Sequence, residues 1–193
     1  MPARAFIGFG ANLGDPFATL PRVLEALAAL PETWLAACSS YYRSAPLGVS
    51  SPHPDYINAV IALDTGLSAQ ALLDALLGIE SAFGRLRTTA ALAPRPVDLD
   101  LLLYGETVTQ SPTLTLPHPR LHQRAFVLLP LAEIAPELTI PGHGPLPPLL
   151  EKVKDQRIDR VRETSVMFPL RFPRIDDSEA DCLEWSNVAR CNR

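Results

Sequence analysis

The sequence is poor in lysine and cysteine and has no long apolar run. Only two lysines occur among 193 residues, whereas arginine supplies the rest of the 17 basic side chains. The three cysteines, Cys38, Cys182 and Cys191, are too few and odd in number for a disulfide framework, so a reducing cytoplasm is the expected location. No run of about 18 apolar residues is present, which argues against a membrane span, and the N-terminus lacks a secretory signal pattern.

Charge and motif spacing exclude further classes. A net charge of -4 argues against sequence-independent binding of nucleic acid, which needs a basic surface. A phosphate-binding Gly-x-x-x-x-Gly-Lys-Ser/Thr loop is absent, because neither lysine follows a glycine. The glycines at 8, 10 and 14 follow a predicted strand, but their spacing is not that of a dinucleotide fingerprint. A composition of 47% hydrophobic and 20% charged residues is instead typical of a globular domain.

The hydrophobic pattern predicts a ferredoxin-like α+β fold. Helices are expected after the N-caps Asp15 and Ser68 and at about 123–134, where Pro130 should bend or shorten the helix. The order β-α-β-β-α-β indicates an antiparallel-containing sheet with helices mainly on one face. Residues 1–158 are interpreted as one domain and 159–193 as a C-terminal extension. The extension shows no regular spacing of apolar residues, which favours a flexible tail over a docked segment. The strands are expected at 5–10, 34–44, 56–64 and 97–104.

The predicted strand 97–104 carries the strongest chemical signal. Alternation along a strand places Asp98 and Asp100 on one face, with Val97, Leu99, Leu101 and Leu103 on the other. Two neighbouring carboxylates repel each other unless a cation lies between them. Such a pair suits Mg²⁺, which also takes water and phosphate oxygens as ligands, and two ions could hold a phosphoryl group. The alternative is a solvated strand face without a ligand.

Cations and an aromatic-amide pair surround this strand in sequence. Arginine grips phosphate bidentately, so a cluster of basic side chains favours a phosphate site over isolated surface residues. Tyr56 and Asn58 share a strand face and could stack on and hydrogen-bond a flat heterocycle, although a core aromatic would give the same pattern. The basic residues are Arg85, Arg87 and Arg95 before the aspartates and His118, Arg120 and Arg124 after them.

Several collinear motifs give the sequence a family resemblance. Examples are Gly-Ala-Asn-Leu-Gly at 10–14 and Pro-Arg-Pro-Val-Asp-Leu-Asp at 94–100. From about residue 5 to residue 157 the chain resembles the 6-hydroxymethyl-7,8-dihydropterin pyrophosphokinases of folate biosynthesis. The resemblance implies transfer of pyrophosphate from ATP to the reduced pterin, with two Mg²⁺ ions and a ferredoxin-like fold. The other motifs lie at 42–48, 54–59, 79–80, 84–87, 116–120, 124–126 and 133–138.

The resemblance also implies roles for particular residues. Asp98 and Asp100 would hold both Mg²⁺ ions and act in catalysis with Arg85 and Arg95. The partners would be ATP and the reduced pterin only, without nucleic acid or membrane, and the protein would be a monomer. The pterin would be bound by Ser44, Ala45, Leu47, Tyr56, Asn58 and Phe126. The ATP would be bound by Glu80, Arg85, Arg87, Arg95, His118 and Arg124.

One departure from the family pattern leaves other functions open. Residues 91–93 read Ala-Leu-Ala where the family commonly has Arg-Trp-Gly in the loop that covers its site. A catalytically weak or silent paralogue that binds pterin or a protein partner is therefore the alternative to an active enzyme. A ferredoxin-like RNA-binding module is a third hypothesis, against which the acidic charge and the lack of clustered strand aromatics argue.

Overall fold

The structure, a computed structural model of the chain, describes residues 2–46, 54–84, 95–162 and 166–167. Within these ranges the chain forms four α-helices, a 3-10 turn at Leu121–Gln123 and a main sheet of seven strands. The helices are α1 (Pro16–Ala28), α2 (Ala69–Ala82), α3 (Ala125–Ile134) and α4 (Leu146–Val153). The strands of the main sheet are β1 (Ala3–Ala11), β2 (Thr33–Cys38), β3 (Tyr41–Ser44), β4 (Tyr56–Thr65), β5 (Asp98–Tyr104), β10 (Ile158–Arg162) and β11 (Val166–Met167). Two small hairpins comprise β6 (Thr109–Gln110) with β7 (Thr115–Leu116) and β8 (Thr139–Ile140) with β9 (Gly144–Pro145).

The strands of the main sheet pair antiparallel in the order β10-β3-β4-β1-β5. β2 pairs with the far end of β4, so β2 and β3 lie one after the other along the same edge of that strand. This is the ferredoxin-like order with β2 and β3 together in the place of one strand, and it confirms the predicted α+β class. β10 then adds a further strand beside β3.

The expected continuous strand at 34–44 is wrong at its centre. The chain leaves the strand conformation at Ser39 and Ser40, between β2 and β3. The Ser39 hydroxyl accepts the Val60 N–H at 2.9 Å, and the Ser40 N–H donates to the Glu133 carboxylate at 3.2 Å. The Ser39 N–H still donates to the Val60 carbonyl at 2.9 Å, but side-chain partners supply the other bonds at this point, which a period-2 hydrophobic pattern does not reveal.

Helices cover both faces of the sheet. The first hydrophobic cluster joins α1 and α2 to one face, through Leu20, Val23, Leu72 and Leu76. The prediction that helices pack mainly on one face fits α1 and α2, which share this face. α3 and α4 pack on the opposite face through a second hydrophobic cluster. Members of that second cluster include Phe6, Val60, Leu102, Leu103, Leu128, Leu131 and Leu149.

Two sequence expectations are corrected by this packing. Leu103 lies in the second cluster, not with Leu99 and Leu101, because the register between β1 and β5 shifts between Phe6 and Ile7. The early end expected at Pro130 is wrong, since α3 continues to Ile134, whereas the bend expected there stays a prediction. None of the helices in the described ranges is long and apolar enough to cross a membrane.

Candidate active site

A cavity of about 270 Å³ lies on the sheet face that α3 and α4 share. Strand register explains how distant residues meet there. Tyr42 pairs with Asn58, Asn58 with Gly10, and Gly10 with Asp98, so these four residues form one row across β3, β4, β1 and β5. Directly paired residues of antiparallel strands point to the same face. The lining includes Gly8, Gly10, Ser44, Ala45, Tyr56, Asn58, Arg95, Asp98, Asp100, His118, Arg120, Arg124 and Phe126.

Gly10 forms the floor of the cavity. A Cβ at this position would lie 3.6 Å from Asn58 Oδ1 and 3.9 Å from both Asp98 Cβ and Tyr56 Cδ1. The absence of a side chain therefore keeps open the space between the amide, the carboxylate and the aromatic ring. The glycine-rich motif thus contributes room for a ligand, in addition to the positive φ of +69° at Gly14 in the following turn.

Asp98 and Asp100 lie side by side at the polar end, as the alternation predicted. The Arg95 guanidinium contacts Asp98 Oδ2 at 3.0 Å, and His118 Nε2 lies 3.9 Å from Asp100 Oδ2. Burial alone would lower the pKa of Arg95, but the charge and hydrogen bond of Asp98 raise it above its ordinary value. Arg95 is consequently a permanent cation beside the aspartates.

His118 turns its Nε2 toward Asp100, at a distance of 3.9 Å that is too long for a direct hydrogen bond. Its Nδ1 accepts the Arg120 backbone N–H at 3.3 Å, which assigns the ring proton of the neutral form to Nε2, on the side of Asp100. Burial lowers the pKa of His118 and outweighs the opposing charge of Asp100, while Arg124 and Arg120 lower it further. The neutral ring therefore presents its Nε2–H to the cavity beside Asp100.

The other end of the cavity is aromatic and amide-lined. Asn58 is 4% exposed, and its Nδ2 donates to the Tyr42 carbonyl at 3.2 Å and to Ser44 Oγ at 3.0 Å. These bonds fix the amide and leave Oδ1 toward the cavity floor. Tyr56 and Phe126 add rings from β4 and α3, and the Arg124 guanidinium lies 5.3 Å from the centre of the Phe126 ring. A flat polar heterocycle matches this lining.

A second cavity, of about 250 Å³, shares Asp100 and His118 with the first. Glu80 of α2 lies on its wall and is only 1% exposed. One Glu80 carboxylate oxygen accepts the Leu99 N–H at 2.6 Å. This bond connects α2 to β5 at the residue between the two aspartates. The rest of the lining is mostly apolar and includes Leu73, Leu77, Leu101, Thr113, Leu114, Thr115 and Pro119.

The structure brings most of the expected site residues together. Leu47, Arg85 and Arg87 lie outside the described residues, as do residues 91–93. Sequence reasoning placed Arg120 in the basic cluster but not among the expected ATP-binding residues, and this side chain lines the first cavity two residues after His118. Sequence reasoning gave no role to Asn12, whose Oδ1 accepts the Arg95 N–H at 2.8 Å and whose Nδ2 donates to the Pro54 carbonyl at 3.4 Å. The remaining expected residues, Ser44, Ala45, Tyr56, Asn58, Glu80, Arg95, Asp98, Asp100, His118, Arg124 and Phe126, line one or both cavities.

The donor set of the polar end is small. In the described part of the chain, no group of three or more His, Cys, Asp or Glu side chains is arranged to hold a metal ion. Asp98 and Asp100 alone provide hard oxygen donors on one strand face. This suits Mg²⁺, which takes one or two protein carboxylates and fills its other positions with water and substrate phosphate oxygens.

Comparison with known proteins identifies the family of the chain. The family model described as 7,8-dihydro-6-hydroxymethylpterin-pyrophosphokinase (HPPK) matches residues 6–136. The chain is 43% identical over 161 residues to the 2-amino-4-hydroxy-6-hydroxymethyldihydropteridine pyrophosphokinase of Pseudomonas aeruginosa, covering 83% of this chain and 98% of that protein. With the protein of the same name from Haemophilus influenzae the identity is 41% over 154 residues, covering 80% and 95%.

A solved structure gives the same result for the fold. The wild-type HPPK-DHPS of Plasmodium falciparum superimposes with a TM-score of 0.60 at 11% identity, covering 79% of this chain and 43% of that one. At that identity the likeness concerns the fold alone, and it agrees with the ferredoxin-like arrangement described above. The match over residues 6–136, together with the identity to two relatives along nearly their whole length, is decisive. The chain belongs to the 7,8-dihydro-6-hydroxymethylpterin-pyrophosphokinase family.

Proposed function

We propose that this protein transfers the terminal pyrophosphoryl group of ATP to the hydroxymethyl group of 6-hydroxymethyl-7,8-dihydropterin, a step of folate biosynthesis. The observation that carries the proposal is that one cavity joins an aromatic and amide-lined end to a pair of aspartates ringed by cations. The hydroxymethyl oxygen attacks the β-phosphorus, the bond from that phosphorus to the oxygen bridging the α-phosphorus breaks, AMP leaves with that oxygen, and the hydroxyl proton is released to water.

The two ends of the cavity suit the two substrates. The pterin stacks against Tyr56 and Phe126, and Asn58 reads its edge through the fixed amide. The backbone around Ser44 and Ala45 lines the same end. The sharing of residues between the two cavities supports one extended site, in which the nucleoside of ATP occupies the second, more apolar cavity and its phosphates reach the first.

Charge complementarity supports the phosphate assignment. Arg95 and Arg124 provide permanent positive charge, and the neutral His118 donates from Nε2. Phosphoryl transfer depends mainly on positioning and on stabilising charge, so these groups lower the barrier without accepting a proton. A loose transition state also explains why no general base is needed near the attacking oxygen.

Magnesium is part of the proposal because the donor set fits it. Asp98 and Asp100 would hold the ions, and Arg95 would keep Asp98 oriented by their contact of 3.0 Å. When bound, Mg²⁺ neutralises charge on phosphate oxygens and stabilises the charge that develops during transfer. A monomer in the cytoplasm, acting only on small molecules, completes the proposal, and the free, buried thiol of Cys38 is consistent with a reducing compartment.

The test is AMP formation from ATP, the reduced pterin and Mg²⁺, measured in a coupled assay. We expect AMP only when all three are present, and we expect Asp100→Asn to lower kcat by at least about 100-fold, because charge stabilisation by one such group is typically of that size. Asp155→Asn is the matched control, since Asp155 is exposed in the turn after α4, and it should leave kcat unchanged.

The same samples distinguish the alternative function. Quenching of pterin fluorescence reports binding without turnover. A protein that quenches the fluorescence but forms no AMP at any Mg²⁺ concentration is the silent paralogue, and the proposed activity is then wrong.

A further inference from the structure

One carboxylate joins three elements beside the aromatic end of the cavity. Glu133, in the last turn of α3, has a side chain only 14% exposed. Its oxygens accept the Ser40 N–H at 3.2 Å, the Ser40 hydroxyl at 2.7 Å, the Tyr42 hydroxyl at 2.8 Å and the Arg160 guanidinium at 3.0 Å. Arg160 also donates to Ser40 Oγ at 2.8 Å. We call these four residues the Glu133 cluster; it connects α3 to the start of β3 and to β10.

The Glu133 cluster is in register with the candidate site. Arg160 pairs with Tyr42 across β10 and β3, and Tyr42 pairs with Asn58 across β3 and β4. Tyr42 therefore has two roles: its hydroxyl donates to Glu133 and its carbonyl accepts from Asn58 Nδ2 at 3.2 Å. The row that reaches Gly10 and Asp98 thus begins at the cluster, and a displacement of Tyr42 would move the Asn58 amide.

The same cluster fixes the helix that carries the second ring. Phe126 and Glu133 are seven residues apart, two turns of α3, and so lie on one side of the helix. Phe126 lines the cavity at one end of the helix, and Glu133 is held by β3 and β10 at the other. The spacing between the Phe126 ring and Tyr56 of β4 depends on how α3 packs on the sheet, to which the Glu133 cluster adds polar contacts beside the apolar contacts of the second hydrophobic cluster.

Tyr42 is a reliable donor in this arrangement. Burial, and then its hydrogen bond to Glu133, raise the pKa of Tyr42 well above its usual value, so the hydroxyl remains protonated at physiological pH. Glu133 in turn accepts donors from backbone, hydroxyl and guanidinium groups, and the bonds to a charged acceptor are the strong kind.

We infer that Glu133 is a positioning residue for the pterin, acting with Tyr42 and Arg160 through Asn58 and Phe126 without touching the substrate. This inference rests on the proposed function, because it takes the aromatic end as the pterin site. It predicts a selective effect. Loss of the cluster weakens pterin binding, whereas ATP binding is unchanged, because the side chains proposed to bind its phosphates lie around Asp98 and Asp100, on the other side of Gly10.

The experiment compares Glu133→Gln with the wild-type chain in two binding assays at a temperature where circular dichroism shows both to be folded. We expect the Kd for the pterin, from fluorescence quenching, to rise about tenfold. The Kd for a non-hydrolysable ATP analogue should stay within about twofold, since the cluster does not reach the second cavity. Tyr42→Phe, which removes one bond and keeps the ring, should raise the pterin Kd about threefold and serves if Glu133→Gln does not fold.

The chain offers a closely matched control. Arg4 and Asp64 form an ion pair at 2.7 Å on β1 and β4, with side chains 42% and 16% exposed, against 44% and 14% for Arg160 and Glu133. Asp64→Asn should reduce thermal stability in the same way as Glu133→Gln and leave the pterin Kd unchanged.

The outcomes separate the two proposals. Equal pterin Kd values in Glu133→Gln and Asp64→Asn, or equal losses of pterin and ATP-analogue binding in Glu133→Gln, overturn the positioning role. A wild-type chain that makes no AMP overturns the activity alone, because the binding comparison is still informative. A wild-type chain that does not bind pterin overturns both.

Discussion

At the scale of single residues, His122 shows how packing changes the affinity of a side chain for protons. It lies in the 3-10 turn before α3, and its ring stacks on that of His143 with 4.0 Å between the centroids. Burial, and then the charges of His143 and of Lys152 on α4, lower the pKa of His122 below its ordinary value of 6.5. The folded protein therefore keeps this ring neutral at a pH where the unfolded chain already binds a proton.

This difference predicts acid sensitivity with a definite sign. Below pH 6.5 the unfolded state binds more protons than the folded state, so the free energy of unfolding should fall as the pH is lowered. His118, whose pKa is also lowered, contributes in the same direction. Urea unfolding at pH 7.5 and 5.5 should show a smaller loss of stability in His122→Gln than in the wild type. Equal losses in the two proteins would contradict the role of His122.

Sequence reasoning identified the site best where a single strand carries the pattern. Asp98 with Asp100, and Tyr56 with Asn58, each share a face because residues two apart on a strand point the same way, and the structure places both pairs on one cavity. Glu133 could not be assigned in this way. Its partners lie about 90 residues earlier and 27 residues later in the chain, and only the packing of α3 brings them together.

At the scale of elements, local rules worked at the helix starts and failed where distant groups intervene. Asp15 accepts the N–H groups of Phe17 and Ala18 at 3.0 and 3.2 Å, as expected of the N-cap of α1. The break at Ser39 and Ser40 and the shifted face of Leu103 both arise from partners on other strands or helices. The spacing of hydrophobic residues along the sequence gives no information about hydrogen-bond and packing partners that lie on other elements.

The cap of α1 gives a measurable prediction. Asp15→Ala leaves two N–H groups without their side-chain acceptor and should lower the free energy of unfolding by about 1 kcal/mol. Asp15→Asn keeps an acceptor oxygen and should lower the free energy of unfolding by only about a few tenths of a kcal/mol, because asparagine and aspartate are similarly good N-caps. Chemical denaturation of the three proteins measures the differences. Equal stability of Asp15→Ala and Asp15→Asn would show that the charge of Asp15, and not its hydrogen bonds, stabilises the helix.

At the scale of the whole molecule, the sheet continues past the boundary expected at residue 158. β10 pairs with β3 from Ile158 onward, and β11 pairs with β2. Arg160, in this region, contacts both Glu133 and Ser40. These described strands favour a folded unit that reaches at least residue 167. The boundary between a domain of residues 1–158 and a C-terminal extension stays a prediction.

Two truncations test where the folded unit ends. A chain ending at residue 167 retains all the described strands and should keep the stability and pterin affinity of the full chain. A chain ending at residue 157 loses the β10 pairing and the Arg160 contact to Glu133, and should be less stable by at least about 2 kcal/mol. Denaturant unfolding and pterin titration of both chains measure this, and equal values for both would place the boundary at 158.

The bare floor at Gly10 has a consequence for inhibition. A side chain introduced there would project between Tyr56, Asn58 and Asp98, into the space that we propose the reactants share. Because glycine has no side chain, every substitution at Gly10 adds atoms beneath a compound that binds flat against this stretch of backbone. Substitutions that exclude the compound would exclude the natural substrate as well, so resistance at this position would come only with loss of the enzyme's own activity.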